Sequence, residues 1–148
     1  MKKIFITGGS GFIGRVLINH LLADGFKVHC YDLLKFRKNS KNFKFFKGSI
    51  LDKKKISNAL KGCEITIHLA ASLGVLNTEK NNLDCLETNI IGTKNILEIS
   101  VKNNIKKFIF ASSSEIYGEQ KKFPISEEAE PKFKSIYGLS KITAENYV

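Results

Sequence analysis

Tyr137 and Lys141 stand four residues apart in the run Tyr137-Gly138-Leu139-Ser140-Lys141. On a helix the two share one face, about 6 Å apart along the axis. A tyrosine hydroxyl ordinarily has a pKa of about 10. A nearby ammonium favours the phenolate and lowers that value, each unit being about 1.4 kcal/mol. Such a tyrosine can take a hydroxyl proton while the adjoining carbon loses hydride. Ser112, Ser113 and Ser114 follow a strand-like run that ends at Ala111. A hydroxyl there can hydrogen-bond the same substrate oxygen. Taken singly, Tyr-x-x-x-Lys is a frequent chance pattern, and a serine-rich turn needs no function.

A second group of residues points to a phosphate-bearing ligand. Thr7-Gly8-Gly9-Ser10-Gly11-Phe12-Ile13-Gly14 follows a strand-like run and opens a helical one. It reads as GxGxxG (Gly9, Gly11, Gly14) or as GxxGxxG (Gly8, Gly11, Gly14). One glycine allows the tight turn, one lets the backbone approach a pyrophosphate, and one lets helix and strand pack closely. The helix start then offers free N–H groups and partial positive charge to phosphate. Asp32 ends the second strand-like run, 18 residues after Gly14. A carboxylate there accepts hydrogen bonds from an adenosine ribose and repels a 2′-phosphate, which favours NAD over NADP. Lys35 and Arg37 lie just beyond and soften that repulsion.

The elements that must position these residues alternate regularly. Strands are expected at 3–7, 27–32, 43–47, 64–71 and 107–112. Helices are expected at 12–23, 53–61, 84–103 and from 136 onward. The polar stretch 114–135 carries both prolines and is expected to be a loop. Strands alternating with helices predict βαβ units and a parallel sheet. The fold class is α/β, a Rossmann-type doubly wound parallel sheet in the order 3-2-1-4-5, with right-handed crossovers.

In combination these residues resemble the N-terminal part of the extended short-chain dehydrogenase/reductase family. The likeness is closest to the NAD-dependent epimerase/dehydratase branch that acts on nucleotide sugars. It is carried by Thr7 to Gly14, Asp32, His68-Leu69-Ala70-Ala71, Asn89-Ile90-Ile91-Gly92-Thr93, Ser112 to Gly118 and Tyr137 to Lys141.

The resemblance implies NAD as cofactor, held by the glycine loop through Gly8, Gly11 and Gly14. Phe12 and Ile13 would present backbone N–H groups to the pyrophosphate, and Asp32 would hold the ribose. Ser49 and Ile50 would lie beside the adenine, with Ser49 standing where the family usually has Asp. Leu69, Ala70 and Ala71 would line the cofactor trough, and Asn89 would support the site from the long helix. Ser113 would be the catalytic hydroxyl and Tyr137 the base. Lys141 would bind the nicotinamide ribose and tune Tyr137.

The implied chemistry is oxidation of a UDP-sugar hydroxyl at C4 to a ketone, then reduction from the other face. The same ketone allows dehydration or decarboxylation. Dehydratases of the branch place Asp-Glu after the catalytic hydroxyl, whereas this chain has Ser114-Glu115. C4-type epimerase chemistry is therefore expected first, and a 4,6-dehydratase or a UDP-glucuronate decarboxylase type second. The family normally continues about as far again beyond Val148. A cofactor-binding domain over 1–148 without its sugar-binding region is expected, with an apolar edge on the fifth strand. A truncated, non-catalytic NAD-binding module is the rival reading. A homodimer is expected to be weak at best.

Composition narrows the classes further. Lys plus Arg is 24 and Asp plus Glu 14, a formal charge of +10. Only Arg15 and Arg37 are arginines, and the lysines are dispersed. With no nucleic-acid motif, the charge reads as solvated faces and attraction for anionic small molecules. No apolar run reaches the roughly 18 residues of a membrane span, and the N-terminus lacks a signal-peptide core. Cys30, Cys63 and Cys85 are odd in number and form no CxxC pair. No disulfide framework or metal site is expected, and a reduced, cytoplasmic setting fits.

Overall fold

Five runs rich in β-branched and aromatic residues form one parallel sheet in the computed structural model, which describes residues 2–73 and 81–148. They are β1 (Lys3–Thr7), β2 (Lys27–Asp32), β3 (Phe43–Lys47), β4 (Ile65–His68) and β5 (Lys107–Phe110). The helices are α1 (Phe12–Ala23), α2 (Lys53–Leu60), α3 (Asn82–Leu86), α4 (Gly92–Lys102) and α5 (Ile136–Glu145). The strand order is β3-β2-β1-β4-β5, as the alternation predicts. Order reverses between β1 and β4, so the C-terminal strand ends open a crevice there.

Period-two alternation sends β1 side chains to both faces. Ile4 and Ile6 join Val28, Cys30, Ile67 and Ile18 of α1 on one side. Phe5 joins Tyr31, Ile56 and Leu60 of α2, and Ile96 and Ile99 of α4 on the other. Fully burying each large apolar side chain contributes about 1.5–3 kcal/mol. These two clusters therefore hold the helices to the sheet. Cys30 and Cys63 are buried within them as small hydrophobes.

Local signals set the helix ends. Asp52 caps α2 by accepting from the Lys55 N–H at 3.0 Å. Ser135 caps α5 by accepting from the Gly138 N–H at 3.0 Å. α1 closes in a Schellman turn, with Phe26 N–H on the Leu21 carbonyl and Gly25 N–H on the Leu22 carbonyl.

The structure departs from the sequence reading in five places. β4 and β5 are shorter than expected, ending at His68 and Phe110. Just past β4 the Thr7 hydroxyl takes the Ala70 N–H at 3.2 Å, so the ladder gives way to side-chain bonding. A single turn of 3₁₀ helix, Ser114–Ile116, occupies the start of the expected loop. α2 ends one residue early, at Leu60.

The expected long helix 84–103 is broken into three. A π-helical turn, Glu87–Ile91, separates α3 from α4. The Gly92 N–H reaches back five residues to the Glu87 carbonyl. Gly92 also lies against Ile50, where a Cβ would collide with the isoleucine side chain. Apolar periodicity cannot reveal such a turn, because a π turn changes the hydrogen-bond register without changing composition.

β5 pairs only with β4 among the described residues, and Ile109 on it is 41 % exposed. No helix of the described residues is long and apolar enough to cross a membrane.

Candidate functional site

The glycine loop is built by close approach. Gly8 has φ +68°, a conformation that favours glycine, and a Cβ on it would lie 2.6 Å from the Ala70 nitrogen. A Cβ on Gly14 would lie 2.5 Å from the Gly8 carbonyl oxygen and 2.6 Å from Gly9 Cα. Gly8 and Gly14 are thus required by backbone packing. Gly11 caps α1 without any side-chain hydrogen bond, so the first N–H groups of the helix stand uncapped by side chains. Phe12 and Ile13 sit there with side chains 90 % and 65 % exposed. Any role at a phosphate falls to their backbone.

Asp32 closes over this loop. One carboxylate oxygen accepts from the Ser10 N–H at 2.9 Å and the other from the Leu34 N–H at 2.9 Å. The Ser10 hydroxyl donates to the Leu34 carbonyl at 2.7 Å, and Arg15 Nε donates to the Ser10 carbonyl at 2.7 Å. Ser10 therefore ties the tip of β2 to the glycine loop. Sequence reasoning passed over it as one of the variable positions of the motif. Its side-chain type at a helix start was the available signal.

A cavity of about 240 Å³ opens beside Asp32. Of the expected cofactor residues, Gly8, Gly11, Asp32, Ser49, Ile50, Leu69, Ala70 and Ala71 line it. Phe12, Ile13, Gly14, Asn89, Tyr137 and Lys141 do not. Ser49 is held by its backbone, its carbonyl accepting from the Tyr31 hydroxyl at 2.8 Å. Ile50 is 6 % exposed and belongs to the core as much as to the cavity wall. A wider hollow of about 650 Å³ is lined by the loop 119–132 alone and holds none of these residues.

The second group gathers where β5 ends. Ser113 starts the 3₁₀ turn and accepts from the Glu115 N–H at 3.2 Å. Gly138 lets α5 approach that turn, since a Cβ on it would lie 2.8 Å from the Glu115 carbonyl oxygen. The Ser113 hydroxyl thereby comes close enough to the Tyr137 side chain to lower the tyrosine pKa. Ser112 and Ser113 both line a hollow separate from the Asp32 cavity, and the buried Ser112 hydroxyl has no hydrogen-bond partner.

Lys141 is 3 % exposed. Its ammonium donates to the Ala111 carbonyl at 2.6 Å and lies 4.6 Å from the Phe110 ring centre. Burial pulls its pKa down to about 8, partly opposed by Glu145 and Cys85.

The sequence reading expects the Lys141 ammonium to draw Tyr137 below its ordinary range. The chain alone shows the opposite direction. Burial raises the Tyr137 pKa, the nearby Ser113 hydroxyl lowers it, and Cys85 and Glu115 raise it further. Desolvation outweighs the hydroxyl contact, and the lysine proton is directed at a carbonyl.

Asn89 is 2 % exposed and sits in the π turn. Its side-chain oxygen accepts from the Ser72 N–H at 2.7 Å. Its Nδ2 donates to the Ser72 carbonyl at 3.2 Å and to the Ser140 hydroxyl at 2.9 Å. The side chain thus joins the loop after β4 to α5 and faces no open space.

The arrangement fits a dinucleotide. A glycine-walled turn and uncapped helix start suit a pyrophosphate, a fixed carboxylate suits a ribose diol, and a lined cavity lies alongside. The Ser113–Tyr137 pair with Lys141 can move a proton at the C-terminal edge of the same sheet.

Comparison with known proteins bears on the chain's family. Residues 4–148 match the NAD dependent epimerase/dehydratase family. A UDP-N-acetyl-alpha-D-glucosaminuronate decarboxylase of Bacillus cytotoxicus is 39 % identical over 125 residues, covering 80 % of this chain and 38 % of that protein. The structure of UDP-glucose 4-epimerase with UDP-glucose from Thermotoga maritima superposes with a TM-score of 0.90 at 36 % identity. That match covers 98 % of this chain and 49 % of the other. MoeE5 in complex with UDP-glucose and NAD superposes with a TM-score of 0.89 at 28 % identity, covering 97 % of this chain and 47 % of that one. The chain spans about half or less of the length of the curated relatives it matches.

Proposed function

The chain belongs to the NAD dependent epimerase/dehydratase family, and from that premise we propose that it is the NAD-binding half of a nucleotide-sugar enzyme. The reaction we assign is C4 epimerisation of a UDP-sugar through a transient 4-keto sugar. The observation that carries it is the meeting of Ser113 and Tyr137, with Lys141 one helical turn on, at the sheet edge that also holds the glycine loop.

When bound, NAD supplies reversible hydride acceptance at one carbon. This chain's own residues do the rest. Ser113 orients the substrate hydroxyl through its side-chain oxygen. Tyr137, as the phenolate that the Lys141 charge and a bound, positively charged nicotinamide would favour, accepts the proton of that hydroxyl and returns it. Lys141, held on the Ala111 carbonyl, supplies positive charge beside the Tyr137 ring, 5.8 Å from its centre. The uncapped start of α1 receives the pyrophosphate through the Phe12 and Ile13 N–H groups, and Asp32 receives the ribose. Leu69, Ala70 and Ala71 wall the cavity that the dinucleotide would enter.

Glu115 favours a second reading, dehydration or decarboxylation from the same ketone. Its carboxylate accepts from the Ser135 hydroxyl at 3.3 Å and raises the Tyr137 pKa by its charge. A third reading, NAD binding without turnover, rests on the chain spanning about half of its relatives. The setting we assign is cytoplasmic and reduced, supported by three cysteines that are all free. Self-association is expected to be weak, and a tight dimer in sedimentation would contradict that.

Thermal unfolding with NAD and with NADP, followed by turnover of UDP-glucose, UDP-glucuronate and dTDP-glucose by NMR, tests the readings. A ligand that binds only the folded state raises the midpoint with concentration. A rise with NAD and formation of UDP-galactose support epimerisation. Loss of carbon dioxide or water supports the second reading, and a rise without turnover the third. No rise with NAD overturns all three.

A further inference from the structure

We propose that His68 is a positioning residue. As a neutral imidazole with its proton on Nε2, it links the wall of the dinucleotide cavity to the turn that holds Asn89, and through Asn89 to Tyr137. Naming Tyr137 as the far end rests on the function proposed above; the linkage itself does not.

His68 is fully buried at the end of β4, with Thr7 at 0 % and Thr93 at 1 % exposure on either side of it. Its Nδ1 lies 2.5 Å from the Thr7 hydroxyl and its Nε2 lies 3.0 Å from the Thr93 hydroxyl. The direction of each bond follows from the outer partners. The Thr93 hydroxyl is 2.6 Å from the Asn89 carbonyl, which can only accept. Its hydrogen therefore points there, and its oxygen must accept from Nε2–H. The Ala70 N–H points at the Thr7 oxygen at 3.2 Å. The Thr7 hydrogen is then free for the lone pair of Nδ1. Every donor meets an acceptor in one proton arrangement, Ala70 to Thr7 to His68 to Thr93 to Asn89.

An imidazolium would break that arrangement, since Nδ1–H and Ala70 N–H would fill both lone pairs of the Thr7 oxygen and the Thr7 hydroxyl hydrogen would lose Nδ1 as its acceptor. The surroundings oppose it too. Burial and the Lys141 charge, the charged group acting on His68, hold the ring neutral, with a pKa near 3. Phe108 and Phe110 pack beside it, with ring centres at 6.3 and 5.8 Å.

Both ends of the string reach the site. Ala70 lines the cavity. The Thr93 bond to the Asn89 carbonyl is an i−4 back-bond of the kind that bends helices, and it lies across the π turn. From that turn the Asn89 side chain holds Ser72 and the Ser140 hydroxyl, which donates to the Tyr137 carbonyl at 2.7 Å. A core that needed only packing would place an apolar residue here, because a partly satisfied buried network is worse than none. This one is satisfied throughout and connects the two halves of the site.

The test begins with the wild-type chain. Ring ¹⁵N shifts of His68 should show the Nε2–H form near neutral pH; the Nδ1–H form or the cation overturns the proposal. The variants Thr93→Val and Thr93→Ser then separate positioning from packing. Valine keeps the shape and removes the hydroxyl, leaving Nε2–H without its acceptor. Exchange of the Asn89 side-chain amide should quicken about tenfold in Thr93→Val and NAD should bind about tenfold more weakly, the cost of one unpaired buried group. Thr93→Ser should restore both to within about twofold. A folded Thr93→Val with Asn89 exchange unchanged overturns the proposal. Should Thr93→Val not fold, Thr93→Cys takes its place, and its weaker thiol should give an intermediate exchange rate; an unchanged rate overturns the proposal. If NAD fails to bind the wild type, the cofactor reading fails, and the ring shifts and amide exchange still decide the role of His68.

Discussion

The Lys141 ammonium lies 2.6 Å from the Ala111 carbonyl, at the end of β5, and only 3 % of the residue is exposed. A buried ammonium with one backbone acceptor is destabilised in its charged form, and its pKa falls to about 8. The unfolded chain holds its proton up to about 10.5. Between these values the unfolded state binds more protons, so stability contributed through Lys141 rises with pH. Below about 8 the penalty is fully present. Relative to Lys141→Met, the wild type should gain about 1.4 kcal/mol per pH unit across this window. Urea unfolding of both chains from pH 7 to 10 measures it. A constant difference would show that Lys141 titrates normally. The comparison with the variant cancels Cys30 and Cys63, whose thiols burial pushes up to about 12.

Ser113 should be visible in the titration of Tyr137. Its hydroxyl is the one influence that lowers the tyrosine pKa among those acting on it. Ser113→Ala should move the Tyr137 midpoint further upward, while Ser112→Ala leaves it in place. ¹³C NMR of the tyrosine ring carbons resolves the residues, with Tyr137→Phe giving the assignment. Equal shifts from both serine variants would remove Ser113 from the site.

His68 contributes to acid sensitivity. Its folded pKa is lowered to about 3 from 6.5. Below 6.5 the unfolded chain takes up a proton that the folded chain refuses, so stability is lost as pH falls. The expected slope is about 1.4 kcal/mol per unit between pH 6.5 and 4.5. His29 is lowered by burial and acts with the same sign. Comparing His68→Gln with His29→Gln separates them. The lowered carboxylates Asp52, Glu64, Glu98 and Glu119 lose their contribution only as pH falls through their own lower range. A His68→Gln chain with the wild-type slope would sink this assignment.

Two glycines should respond differently to alanine. At Gly14 a Cβ meets backbone at 2.5–2.8 Å, where nothing flexible can yield. Gly14→Ala should lower stability by about 1–3 kcal/mol and abolish NAD binding, as overpacking does. Gly25 has φ +83° but no heavy atom within 4 Å of an added Cβ. Gly25→Ala should cost about 1–2 kcal/mol from backbone strain and leave NAD binding intact. Calorimetric titration with NAD reads both; loss of binding in Gly25→Ala would mean that the glycine loop is sensitive to stability alone.

Asp32 should set the preference between NAD and NADP. Asp32→Asn keeps one acceptor and shape but removes the charge, so NADP binding should strengthen relative to NAD. Asp32→Ala also frees the Ser10 and Leu34 N–H groups. It should weaken both cofactors and lower stability by about 1–3 kcal/mol. An unchanged NAD to NADP ratio in Asp32→Asn would detach Asp32 from the ribose.

Much of the scaffold is legible from local pattern. β1, α1, β2 and β3 fall at the residues that periodicity marks, because each buries a face of fixed period against the same sheet. The glycine spacing places the turn between β1 and α1, and the acidic residue at the tip of β2 lies over it. Ser113, Tyr137 and Lys141 are marked by residue type and spacing alone, although their separation of 28 residues in sequence does not say that they meet.

What residue types and spacing establish here is the strand–helix order, the glycine turn and the identity of the groups able to move a proton. Their relations are set by packing. Gly138 brings the 3₁₀ turn against α5, so that Ser113 reaches Tyr137. Gly92, where the π turn at Asn89 ends, packs against Ile50 in the loop between β3 and α2, a residue that no local window contains with it. Lys141 faces Ala111, and Tyr137 is raised rather than lowered, because burial is a property of the assembled core. Local propensity depends on neighbours in sequence. Desolvation and hydrogen-bond direction depend on neighbours in space, and only the closed fold supplies those.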